Sequence, residues 1–344
     1  MNVADLLARA VDGRRCTGIV LSAHDRRDGR SVHHAAGDLD PDRPFFAASV
    51  TKLLTAALVF QQADDGRVDL DAPFRRWLPG PETAGLNRHG GIDHTELITV
   101  RHLLAHTSGL PDHFQPDSGA GHYAGLLRGE DRACDFAAAL AIARRLGAVG
   151  APGTLRAHYS DTNYQLLGRL LETLAQRPLA EQMHARLFAP LGLTRTWLYT
   201  DPQDRRPKPM RHGARDLTIP RAMAATGADG GLVTTAREGL ALVRAFFEGG
   251  WFDARRLSEL QDWRPMFFPL RYGTGLMRFA LPRWMTGFRT LPPLLGHSGL
   301  SGAFLFHAPS LGTFYAGTVN QIEPRSAPFR LLARVALHDA RRTK

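Results

Sequence analysis

Strand-like residues lie at the two ends of this chain, and helix and loop fill what lies between. Thr17–Ser22 and Ser31–Gly37 flank a polar turn and read as a hairpin. Leu276–Leu281, Gly302–His307 and Thr313–Val319 are the apolar, Gly-punctuated pieces of the C-terminal third. Between them the patterning predicts helices near 131–147, 162–177, 178–190 and 235–248, with a last amphipathic one over 326–342. Strands from both termini share a sheet only if the chain leaves it and returns. The fold class expected is therefore mixed α/β, with residues 1–75 and 221–344 forming a sheet domain and 76–220 a mostly helical insert.

One helical run carries chemistry. Ala48–Phe60 is apolar and helix-favouring, and it opens with Ser49 and Lys52 three residues apart. Three residues is close to one turn, so the two side chains share a face. A Ser hydroxyl becomes a nucleophile when a neighbouring base takes its proton, and a lysine neutralised by burial can do so. Of 43 Lys+Arg only Lys52, Lys208 and Lys344 are lysine, and only Lys52 lies in an apolar segment. A helix start with Ser49 as N-cap and Lys52 snorkelling is the plain alternative.

The 344 residues are 44% hydrophobic, ample for a core, and carry a formal charge of +10. The arginines are scattered without blocks, so no nucleic-acid partner is expected. Cys16 and Cys134 stand far apart and imply neither a disulfide framework nor a zinc knuckle. The N-terminus lacks the apolar core of a secretory signal, and no run is long enough to span a bilayer. A cytoplasmic location without a membrane partner is expected. His102 and His106 are spaced as metal ligands on a helix, but no Glu follows His102 as H-E-x-x-H requires, and no metal site is assigned.

Two further clusters matter. Tyr159-Ser160-Asp161 precedes a helix, and a phenol near a cation can relay a proton. Ser160 or Asp161 as helix cap is compatible with that role. His297-Ser298-Gly299 sits where glycines let a substrate lie along a strand edge. Ser49-Val50-Thr51-Lys52, Tyr159-Ser160-Asp161 and His297-Ser298-Gly299, in that order, resemble the three signature elements of the serine β-lactamase and penicillin-binding superfamily. The tyrosine and histidine resemble its class C branch, which includes D-Ala-D-Ala carboxypeptidases and esterases. Leu103–Pro111, Pro152-Gly153-Thr154, Pro190–Leu193 and Gly230–Val233 also look like this family, and the resemblance runs from about residue 15 to 320.

The resemblance implies an antiparallel sheet flanked by helices with a helical insert, and an active site at their seam. It implies Ser49 as the acylated nucleophile, with Lys52 and Tyr159 sharing proton transfer. His297 would orient substrate or polarise Tyr159, and the N–H groups of Ser49 and Leu300 would form the oxyanion hole. Ser298, Gly299 and Asp161 would contact substrate. Asp161 stands where asparagine is expected, and His297 where β-lactamases usually have lysine. Both departures lean toward an esterase or peptidase over an efficient β-lactamase; the activity expected is carboxylic-ester hydrolysis, with a D-amino-acid peptidase, a β-lactamase or an acyltransferase as alternatives on the same site. A non-enzymatic acyl-ligand-binding protein is the reading from another class. The partner expected is a small-molecule ester or amide, and no cofactor is implied. Trp251, Trp263, Phe267, Phe268 and Trp284 are candidates for an apolar acyl pocket.

Overall fold

The computed structural model describes residues 2–342 except 116–121, and the backbone alone at Arg342. The stretch 111–125, rich in Gly, Pro and Asp and expected from the sequence to be loop, falls partly outside the described residues. Its end, His122–Arg128, is a short helix that the patterning missed.

Both ends of the chain build one eight-stranded antiparallel sheet. Its strands in chain order are β1 (Gly18–Asp25), β2 (Arg30–Gly37), β3 (Arg264–Pro265), β4 (Leu270–Tyr272), β5 (Met277–Phe279), β6 (Leu294–Ser298), β7 (Ala303–Ala308) and β8 (Thr313–Thr318). In space they run β3-β4-β5-β6-β7-β8-β1-β2. Pairing of β1 with β8, Val20 opposite Thr318, closes the N-terminal hairpin onto the C-terminal strands.

Alternation along the strands gives the sheet two buried faces. Ile19, Leu21, Phe304, Phe306 and Tyr315 pack against α1 (Val3–Ala10) and α5 (Ala327–Arg342). Val20, Leu295, Leu305, Phe314 and Ala316 pack on the other side. They meet α2 (Thr51–Asp64) and α4 (Ala236–Phe247) there. Residues 51–60 of α2 are all buried, which fits a helix apolar on every side running through the core. α3 (Asp161–Ala175) packs on α2 with Tyr164, Leu166, Leu167, Leu170 and Leu171 fully buried.

A second, three-stranded sheet pairs Phe45–Phe46 and Trp197–Leu198 with Leu232–Thr234. It aligns the chain before Ser49 with the segment 228–232. The Thr51 hydroxyl accepts the Leu232 N–H at 2.9 Å, and the Thr55 hydroxyl donates to Ala228 O at 2.7 Å. Among the described residues no helix is long and apolar enough to cross a membrane.

Candidate active site

Ser49 lies in a single 3-10 turn, Ala48–Val50, that runs straight into α2. Ala48 has φ of 47°, a left-handed conformation uncommon for a residue with a Cβ. This corner leaves Ser49 half-buried while Lys52, one turn on, is fully buried. Ser49 is not the helix N-cap. Val50 holds that position and makes no side-chain capping bond.

All three Lys52 protons have acceptors. Nζ donates to Ser49 Oγ at 3.1 Å and to Asp229 O at 2.7 Å, and it pairs with Asp161 Oδ1 at 2.7 Å. The rings of Tyr159 and Tyr164 lie 5.1 Å and 5.4 Å away. A lysine made neutral by burial was expected, and the structure corrects this. Burial does work against the ammonium, but the Asp161 carboxylate and then Tyr159 outweigh it, and the Lys52 pKa moves up from the ordinary lysine value.

Tyr159 enters from the residue before the α3 N-cap, its hydroxyl within hydrogen-bonding reach of both Ser49 and Lys52. Burial pushes its pKa up, against the pull of Lys52. The segment is held from outside α3. His106 Nδ1 accepts the Ser160 N–H at 3.1 Å, Asp112 Oδ1 accepts the Asp161 N–H at 3.1 Å, and the Ser160 hydroxyl donates to Pro111 O at 2.8 Å. Ser160 is the N-cap by position, yet its side chain makes no cap bond. His106 lies tilted against Tyr159 with ring centroids 4.4 Å apart and packs edge-on against Tyr272 at 4.6 Å.

Carboxyls crowd the lysine. Burial, then the Asp161 charge, pushes Asp112 up to about 7 and Asp229 well above the carboxylate range. The Asp229 carboxyl accepts the Gln165 amide at 2.8 Å. On the facing strand β6, His297 is fully buried. Its Nδ1–H donates to Ser298 O at 2.7 Å and its Nε2 accepts the Tyr272 hydroxyl at 3.0 Å. Burial and the Lys52 charge push it down to about 3, so it is a neutral imidazole near pH 7. The Ser298 hydroxyl contacts Met277 Sδ at 3.7 Å. Gly299 is pressed on the segment that carries Ser49: a Cβ there would meet Ala47 O at 2.0 Å.

A pocket of about 690 Å3, including its open mouth, leads to Ser49. Phe114, Leu126, Met210, Met223 and Leu300 supply its apolar lining, and Asp161, Gln165 and Asp229 a polar patch. Arg132 and Glu130 also line it, paired with each other at 3.5 Å. None of Trp251, Trp263, Phe267, Phe268 and Trp284 lines it, so the expected acyl-pocket aromatics are corrected. Trp251 is core, and Phe267, Phe268 and Trp284 are exposed.

The family model for Beta-lactamase matches residues 3–339. The chain belongs to the Beta-lactamase family. Penicillin-binding protein 4 of Amycolatopsis lactamdurans is 33% identical over 163 residues, 47% of this chain and 38% of that one. Esterase EstB of Burkholderia gladioli is 34% identical over 180 residues, 49% and 42% of the two chains. The chain thus spans about half or less of the length of these relatives. The D-amino acid amidase of Ochrobactrum anthropi SV3 shares the fold, with TM-score 0.82 at 23% identity over 99% of this chain and 98% of that one. Relatives of this Beta-lactamase family chain thus include an esterase and a penicillin-binding protein, and also the monacolin J acid methylbutanoyltransferase of Aspergillus terreus, 31% identical over 209 residues, 54% of this chain and 48% of that one.

Ser49, Lys52, Tyr159 and Asp161 therefore converge, with His297, Ser298, Gly299 and Leu300 on the strand and turn opposite. Sequence reasoning missed His106, Asp112, Asp229 and Tyr272. Asp229 directly precedes Gly230–Val233, a segment already singled out, and His106 lies within another, Leu103–Pro111. Of His102 and His106 as a metal pair, His102 Nδ1 accepts the Thr99 N–H in a helix capping box, and His106 turns to the tyrosines. Among the described residues no group of three or more His, Cys, Asp and Glu could hold a metal.

Proposed function

We propose that this chain is a serine hydrolase that cleaves carboxylic esters through an acyl-enzyme on Ser49, at the seam between the sheet domain and the helical insert 76–220. The observation that carries the proposal is a half-buried Ser49 at the pocket, with Lys52 Nζ 3.1 Å from its Oγ and the Tyr159 hydroxyl within reach of both. In the form in which the Lys52–Tyr159 pair has given up one proton, Ser49 Oγ attacks the ester carbonyl carbon, its proton fills that vacancy in the pair, and the carbonyl π pair moves onto oxygen. The N–H groups of Ser49 and Leu300 receive that oxyanion. Collapse expels the alkoxide, which takes the proton back from the pair, and water repeats the sequence on the acyl-enzyme.

One feature favours an ester with an uncharged acyl group. His297 is neutral and turned to Tyr272 and Ser298, so it supplies no cation for a substrate carboxylate of the penicillin kind.

The test is a panel of p-nitrophenyl esters, D-amino-acid amides and nitrocefin, run on the wild type and on Ser49→Ala. Short esters are expected to turn over fastest, with a loss of roughly 10³-fold or more in the variant. Nitrocefin turning over far faster than short esters would make it a β-lactamase. An unaffected Ser49→Ala would remove the nucleophile.

A further inference from the structure

The aromatics absent from the pocket are gathered elsewhere. Phe267, Phe268, Trp284, Met285 and Phe288 are 46–73% exposed. Leu270 pairs with Phe279 across β4 and β5, so the chain entering β4 (Phe267, Phe268) and the chain leaving β5 (281–291) spring from the same end of the sheet. Leu155, 91% exposed, belongs to the segment bonded alongside: the Ala157 N–H donates to Pro265 O at 2.9 Å and Arg156 to Met266 O at 2.6 Å. At roughly 150–250 Å2 per ring, the four exposed rings together present on the order of 500 Å2 of aromatic surface on these two neighbouring segments.

The charge around them has one sign. Between Asp262 and Glu323 the chain has no Asp or Glu, but it carries Arg264, Arg271, Arg278, Arg283 and Arg289. Arg264 pairs with Asp262, and among the described residues the other four make no ion pair. Arg271 and Arg278 stand directly opposite each other across β4–β5, an arrangement that like charges disfavour. Arg283 and Arg289 bond loop carbonyls, those of Phe288 and Thr286.

A second copy of this face would set arginine against arginine. The fitting occupant is anionic and has an apolar interior that accepts rings. Exposed Trp and Phe with an arginine surround is the pattern that binds at a membrane–water interface. We propose that the end of the sheet carrying Phe267, Phe268, Trp284 and Phe288, ringed by the unpaired Arg271, Arg278, Arg283 and Arg289, is a peripheral docking surface for an anionic lipid bilayer. This goes beyond the sequence expectation of no membrane partner. It concerns residues outside the Ser49 pocket, so it stands or falls apart from the esterase reading.

The test is co-sedimentation of the full chain with phosphatidylcholine vesicles, with and without roughly one-third phosphatidylglycerol. Binding is expected to the anionic vesicles, at least tenfold weaker at roughly 1 M than at roughly 0.1 M salt, because the Debye length falls from about 10 to about 3 Å. Phe267→Ser/Phe268→Ser, Trp284→Ser and Arg271→Glu/Arg278→Glu should each weaken it at least tenfold. Their circular dichroism and p-nitrophenyl acetate hydrolysis should stay at wild-type levels, which shows that they fold. No binding to anionic vesicles would overturn the proposal, as would equal binding by folded variants. So would sedimentation velocity showing a dimer that Trp284→Ser dissociates, since a second copy would then own the face.

Discussion

At the scale of single residues, the decisive contact is Lys52 with Asp161 at 2.7 Å. The Asp161 charge moves both Lys52 and Tyr159 upward, so it holds a proton on each and leaves the accepting form of the pair a minority that grows with pH. Asp161→Asn is nearly isosteric and removes that charge. The acid limb of kcat/KM is then expected at least about one pH unit lower than in the wild type, whichever of the pair accepts the Ser49 proton. A pH–rate profile checks this, and an unmoved limb would show that Asp161 does not set the proton affinity of the pair. The spacing of Ser49 and Lys52 and the phenol of Tyr159 were legible in the sequence, because one helical turn and one tripeptide encode them. The charge state of Lys52 was not. It depends on Asp161, more than a hundred residues on, and on Asp229, whose carbonyl meets Nζ from 177 residues away.

At the scale of elements, the β6–β7 turn is fitted against the turn that carries Ser49, the proposed nucleophile. A Cβ on Gly299 would overlap Ala47 O, so Gly299→Ala must push the β6–β7 turn away from Ser49. The expected cost is about 1–3 kcal/mol of stability from overpacking. With it comes a loss of about 10²-fold in kcat, because the Leu300 N–H leaves its place at the oxyanion. Chemical denaturation and ester kinetics on the variant read both effects, and a wild-type kcat would show that Leu300 contributes no donor. Periodicity located α2, α4 and α5 well, since one long apolar pattern defines each. It erred where distant groups complete an element. The start of α3 was expected to be capped by its own Ser160 or Asp161, and its N–H groups are satisfied by His106 and Asp112. Turn residues alone did not disclose the hairpin Met210–His212/Arg215–Leu217 inside the stretch 76–220 expected to be mostly helical.

For the whole molecule, buried titratable groups set the acid stability. Burial pushes His297 down to about 3, His113 and His307 down to about 4, and His106 well below the ordinary value. A depressed histidine takes up its proton on unfolding, so its stabilisation is full above about 6.5 and drains as pH falls towards the folded value. Asp112 and Asp229 are raised and run the opposite way, losing stability as pH rises from about 4 towards 7. The histidines outnumber the carboxyls, so unfolding free energy is expected to fall as pH drops from roughly 6 to 4.5. Urea unfolding across that interval measures the slope, and a flat profile would contradict neutral buried imidazoles. The sheet built from both termini was legible because strand patterning concentrates at the chain ends, and the pocket was not, because residues from 48 to 300 line it. The claim that joins these scales is acylation of Ser49, tested most directly by rapid acid quench of the protein with a p-nitrophenyl ester followed by peptide mass mapping. The account predicts a transient acyl adduct on the peptide containing Ser49, absent in Ser49→Ala; ester turnover with no adduct there, or an adduct on another residue, would contradict it.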